Sequence, residues 1–136
     1  MPETLVLDAF PLLAYFQNEP AGPEVAAILR RAQAGEVRLV IAAINLGEVT
    51  YRIIREKGFE SAQEALAYIQ ANAIEVIDVD RELALSAAVL KANHRLGYAD
   101  CFAAALAQRL NAAIVTGDPD FRQVEHLVTI EWLPTA

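Results

Sequence analysis

Two kinds of apolar run alternate along the chain: short blocks of branched residues, and longer stretches whose apolar positions recur every three or four residues. Leu5-Val6-Leu7 is of the first kind and predicts a buried strand that stops at Asp8, and residues 10–16 follow with helical spacing. Beyond the turn-prone stretch 18–23, Val25, Ile28 and Leu29 predict a second helix running to Gly35, with Pro23 suited to its first turn. Residues 38–42 predict a strand. Asn45 then opens a helix to about Arg55, striped by Val49, Ile53 and Ile54 and ended by Gly58. An amphipathic segment at 60–72, a strand at 74–79 and a helix at 81–95 closed by Gly97 continue the pattern. An Ala-rich helix at 99–110, a strand at 112–116, a short helix at 119–124 and a strand at 127–132 complete it.

Strands separated by helices imply right-handed crossovers, hence an α/β fold of three layers, with a mainly parallel central sheet and helices on both faces. With 136 residues the expectation is a single domain over 1–136. Hydrophobic types make up 55%, which excludes disorder as the main state. Against 11 Lys plus Arg stand 18 Asp plus Glu, a net charge of −7 that argues against a broad basic face for nucleic acid and leaves room only for a local strip. No apolar run is long enough to span a membrane and no basic leader precedes one, so a cytoplasmic protein is expected. One cysteine and two histidines can form neither an internal disulfide nor a tetrahedral Cys/His zinc site, so oxygen must hold any metal in the main.

In a parallel sheet every strand ends, and every following helix begins, on one edge. Asp8, Glu48, Asp100 and Asp118 all fall at such positions, with Asp120 two residues beyond the last. Two carboxylates 4 Å apart repel by roughly 4 kcal/mol at an effective dielectric near 20, so a cluster of them must protonate, separate or bind a cation. Hard oxygen donors suit Mg²⁺ or Mn²⁺, which can orient and acidify a water for in-line attack on phosphorus.

Each acid also has a structural explanation. Asn45-Leu46-Gly47-Glu48 has the form of a capping box, and Glu48 is oriented to pair with Arg52 one turn on. Asp118-Pro119 reads as an N-cap followed by proline, and Asp100 sits where a helix dipole favours an acid. Asp8 is flanked by core residues on both sides, where a carboxylate that does no more than cap the next helix is costly.

Leu5-Val6-Leu7-Asp8, Asn45-Leu46-Gly47-Glu48-Val49, Tyr98-Ala99-Asp100-Cys101-Phe102-Ala103-Ala104-Ala105 and Val115-Thr116-Gly117-Asp118-Pro119-Asp120-Phe121 together resemble the motifs of a PIN domain, over nearly the full length and in the family's order. More narrowly the chain is similar to VapC-type toxins of toxin–antitoxin pairs. The resemblance implies a Mg²⁺-dependent endoribonuclease, with Mn²⁺ as substitute, that is silenced by a VapB-like antitoxin and forms a homodimer. It implies Asp8 and Asp100 as principal metal ligands, Glu48 completing or water-bridging the shell, and Asp118 positioning a water or a second ion. Thr116 would hydrogen-bond within that shell, and Asp120 matches a less constant extra acid. Many members carry a small hydroxyl residue within two positions of the first acid; Ala9 and Phe10 stand there in this chain.

Arg52, Arg55 and Lys57 are candidates to meet RNA phosphates beside the metal, or form a solvated helix face. Lys91, His94 and Arg95 form a second small basic group; His94 and His126 read as surface or packing residues and Cys101 as core. The crowded apolar segment Phe10 to Phe16 suits either contact with a partner or a helix buried on most of its circumference, and Tyr51, Phe59 and Tyr68 suit either an antitoxin groove or packing between helices. Two other function classes fit the same acids: a binding module in which they only cap helices, and a metal-dependent phosphohydrolase of small phosphate esters.

Overall fold

The branched blocks form five strands, β1 (Glu3–Leu7), β2 (Val37–Ala42), β3 (Ile74–Ile77), β4 (Ala113–Thr116) and β5 (Ile130–Trp132), in a computed structural model that describes residues 2–135. Between them run α1 (Ala9–Phe16), α2 (Gly22–Gln33), α3 (Ala43–Lys57), α4 (Phe59–Ala71), α5 (Arg81–Asn93), α6 (Tyr98–Leu110) and a 3₁₀ helix (Pro119–Val124). The sheet order is β3-β2-β1-β4-β5, and each neighbouring pair is parallel. The chain therefore builds outward from β1 in one direction and then returns to build outward from its other side. That reversal between β1 and β4 opens a crevice at their carboxyl ends, the place where open α/β sheets bind ligands.

Register and pleat explain why the strand sequences are apolar without interruption. Leu5 lies opposite Leu39 and Ala113, and Leu7 opposite Ile41 and Val115. Leu5, Leu7, Leu39, Ile41 and Val115 share one core with Leu12, Val25, Val49, Ile53 and Ile69 from α1 to α4. Val6, Val40 and Ile114 project to the other face, into a second core with Leu83, Ala87, Leu106 and Phe121. A strand covered on both faces has no solvent side to mark with polar residues. In α6 the seven residues from Cys101 to Ala107 are all buried, and the four alanines among them let the helix lie close against the sheet and α5.

Several boundaries differ from the sequence reading for identifiable reasons. α3 begins at Ala43 rather than Asn45, with Ala42, the last residue of β2, at the N-cap position and no side-chain cap, so the helix leaves the strand without a break. α5 ends at Asn93 because His94 turns extended (φ −140°). β5 starts only at Ile130, since the amides of Leu127 and Val128 still bond back to Val124 O in the turn after the 3₁₀ helix. Gly58 does end α3, in a left-handed conformation (φ +94°) that a side chain would strain. Among the described residues no helix is long and apolar enough to cross a membrane.

Candidate functional site

Asp8 is the first residue beyond β1 and the N-cap of α1, with one carboxylate oxygen accepting the Phe10 amide at 3.2 Å. Its other oxygen accepts the Thr116 hydroxyl at 2.8 Å, from the last residue of the neighbouring strand β4. The same Thr116 oxygen accepts the Asp118 amide at 3.1 Å, and the Asp118 carboxylate accepts the Asp120 amide at 2.9 Å. One chain of hydrogen bonds thus fixes the ends of both strands. Asp118 is therefore the N-cap that its sequence suggested, and it lines the site as well.

The capping box at Asn45 does not form. Because α3 starts two residues earlier, Asn45 is already inside the helix and Glu48 lies on its second turn. The buried Asn45 amide instead donates to Ala99 O at 3.0 Å, which pins α3 to the first turn of α6 one residue before Asp100. The expected ion pair of Glu48 with Arg52 does not close to 4 Å among the described residues, although both line the same cavity.

Asp8, Glu48, Asp100 and Asp118 meet in a cavity of about 160 Å³, shared with Phe10, Leu13, Glu19 and Arg52. Four acids spread over more than a hundred positions are thus brought to one concavity. Thr116 lies buried beneath it, while Asp120 stays exposed outside the lining and acts there through its charge on Asp100. Arg55 stacks over the Tyr51 ring at 4.9 Å and Lys57 reaches toward Phe16 O, so of the three basic candidates only Arg52 reaches the cavity. Glu19 and Asn45 were not anticipated. Glu19 sits in a turn between α1 and α2 with no apolar or motif signal around it, and Asn45 was disguised as a cap. A larger concavity of about 570 Å³ lies at the opposite edge of the sheet, but Glu3 is its sole acid and it gathers no comparable chemistry.

The electrostatics are unfavourable to four bare anions. Burial pushes the Asp8 carboxyl well above the usual carboxylate range; the Thr116 hydrogen bond opposes this, and the charges of Asp100, Asp118 and Glu48 reinforce it. Burial also drives Asp100 up to about 7, helped by Glu48, Asp118 and Asp120 and opposed by Arg52. Glu48 is raised chiefly by burial, with Arg52 opposing and Asp118 adding to the rise. Its Oε1 is buried with no hydrogen-bond partner, as is Asn45 Oδ1. An all-oxygen donor set carrying excess negative charge and an unpartnered buried carboxylate oxygen fits a hard divalent cation. Among the described residues no three acids stand close enough together to form a ready ligand set.

A family model described as PIN domain matches residues 5–127. No curated protein matches the chain significantly. Among solved structures, a VapBC of Salmonella typhimurium bound to DNA shares 20% identity with a TM-score of 0.77, covering 96% of this chain and 98% of that one. VapC20 of Mycobacterium tuberculosis, described as a Sarcin-Ricin loop cleaving toxin, shares 17% identity with a TM-score of 0.76 over 96% of this chain and 99% of its own. VapBC2 of Rickettsia felis, bound to a fragment of promoter DNA, gives 19% identity and a TM-score of 0.75 over 96% and 99% of the two chains. At these identities the likeness is one of fold.

Proposed function

The chain belongs to the PIN domain family, and on that premise we propose that it is a Mg²⁺-dependent endoribonuclease, the toxin of a toxin–antitoxin pair, acting in the cytoplasm. The observation that carries this reading is the convergence of Asp8, Glu48, Asp100 and Asp118, from four separate strand ends and helix starts, on one small cavity. Asp8 and Asp100 would hold Mg²⁺ or Mn²⁺, with Glu48 completing the shell directly or through water and Asp118 placing a further water or ion. When bound, the ion supplies a water acidic enough to attack at neutral pH and a positive charge facing the phosphate.

The chain's own groups arrange everything else. Thr116 holds Asp8 in one orientation in the cavity lining. Asn45 locks the spacing between the helices that carry Glu48 and Asp100. Arg52, the one cation in the lining, would meet a phosphate oxygen of RNA, with Arg55 and Lys57 further along the strand's path. Leu13 and the Phe10 ring form the apolar wall that limits water.

A VapB-like antitoxin is the proposed partner, consistent with the VapBC complexes among the solved structures of this fold. A groove of about 380 Å³ between α1, α3 and α4, walled by Tyr15, Phe16, Ile53 and Tyr68, offers apolar surface for one of its segments. Tyr51 and Phe59 stay exposed outside that groove. A homodimer is proposed as the assembled form. The test is cleavage of structured and single-stranded RNAs with Mg²⁺, with excess chelator, and by Asp100→Asn. Cleavage in the first alone supports the mechanism; equal cleavage in all three rejects it.

A further inference from the structure

The two histidines of the chain meet outside the lining of the acidic cavity. His94 Nδ1 lies 2.9 Å from Leu90 O. A carbonyl oxygen only accepts, so Nδ1 carries the proton, and in the neutral ring the lone pair is left on Nε2. A backbone carbonyl that fixes tautomer and ring direction in this way is the usual support of a metal-binding imidazole. The exposed His126 ring has its centre 6.1 Å from that of His94, with the planes at 47°. Two imidazoles sharing one tetrahedral ion at about 2.0–2.1 Å per nitrogen have centres roughly 5 Å apart. Rotation of the exposed His126 side chain closes the remaining gap of about 1 Å. Lys91, on the last turn of α5, turns its ammonium to Leu96 O.

We propose that His94 and His126 form a two-nitrogen site for a borderline divalent cation such as Zn²⁺, with water filling the rest of the shell. Nitrogen donors select Zn²⁺, Ni²⁺ or Cu²⁺, whereas the oxygen pocket selects Mg²⁺, so the two sites are chemically separate. The position matters because His94 begins the connection that leads through Gly97 into Asp100, and His126 follows the 3₁₀ helix that Asp118 caps. Arg95 N already donates to Gln123 Oε1 at 2.9 Å and ties the same two segments. An ion held by both rings staples these segments together beside the acidic cavity. The site stands whether or not the chain cleaves RNA.

Two histidines give two sets of imidazole resonances, so NMR of the full chain titrated with ZnCl₂ reads the site directly. Both sets should move together and saturate at one ion per chain, MgCl₂ should move neither, and the response should persist in Asp100→Asn. His126→Ala should weaken Zn²⁺ binding at His94 about tenfold or more, and Zn²⁺ should slow amide exchange across residues 94–97 and 119–126. Movement of one imidazole alone, a His94 response indifferent to loss of His126, or a Zn²⁺-dependent dimer in sedimentation overturns the proposal. Unchanged amide exchange overturns the staple.

Discussion

The Thr116 hydroxyl donates to Asp8 at 2.8 Å across 108 positions of sequence, joining the ends of the two adjacent central strands. The same oxygen receives the Asp118 amide, so one small side chain organises two of the acids. Thr116→Val keeps the shape and removes both bonds. It should cost about 1–3 kcal/mol of stability, the penalty of leaving buried polar groups unpaired, and should lower RNA cleavage further than Thr116→Ser. Urea unfolding alongside initial cleavage rates separates the two effects.

The acids store repulsion in the metal-free protein. An Asp that titrates near 3.9 when unfolded and about 7 when folded holds its proton more tightly in the folded state. Its contribution is therefore fully present below about pH 4 and lost as pH rises toward 7. Asp100 is partly exposed, so the nominal cost of about 4 kcal/mol is screened to roughly 1–2. Asp80, held below the ordinary range by Arg109, acts in the opposite sense, its contribution being lost only as pH falls below about 4. Without metal the urea midpoint should thus be lower at pH 8 than at pH 5, and Mg²⁺ should raise it more at pH 8.

From the same repulsion, Asp100→Asn should stabilise the metal-free protein at pH 8 while abolishing cleavage. A gain of about 1–2 kcal/mol corresponds to roughly 3–6 °C in Tm for a domain of this size. A Tm equal to or below that of the parent, measured in chelator, means the acids do not repel as described.

Asn45→Ala removes the bond from α3 to Ala99 O. About 1–2 kcal/mol should be lost, and kcat should fall, because Glu48 and Asp100 no longer share a fixed spacing. Unfolding curves and steady-state kinetics check this together.

A methyl group at Gly117 would come within 2.5 Å of the Phe10 ring. The atoms struck are the far end of a side chain that also lines the acidic cavity, so the ring can swing aside into it. Gly117→Ala should therefore cost about 1 kcal/mol of stability, the low end for overpacking, yet reduce cleavage several-fold, and adding Phe10→Ala should recover part of it.

Much of this was legible in the residues. The uninterrupted blocks Leu5-Val6-Leu7 and Ile114-Val115 announced strands buried on both faces, and the acid after each announced an edge worth inspecting. The alternation of strands and helices already implied a mainly parallel sheet, but the strand order β3-β2-β1-β4-β5 required the tertiary structure, since periodicity does not say which strands are neighbours. The capping-box reading failed because a motif cannot show that the backbone turned helical two residues early, with Ala42 leading directly into α3. Glu19 stayed hidden because its approach to the cavity depends on how the turn after α1 folds back, through its amide to Ala14 O. His94 and His126 were each unremarkable alone; only the fold makes them neighbours.

Because the crevice lies between β1 and β4, one half of its floor is made more than a hundred residues before the other. A nascent chain emerging from the ribosome carries Asp8 early but has no β4 against which to orient it, and non-local parallel pairing forms late in folding. The pocket therefore comes into being only once β4 has been made, and products that stop short of that strand are left without it.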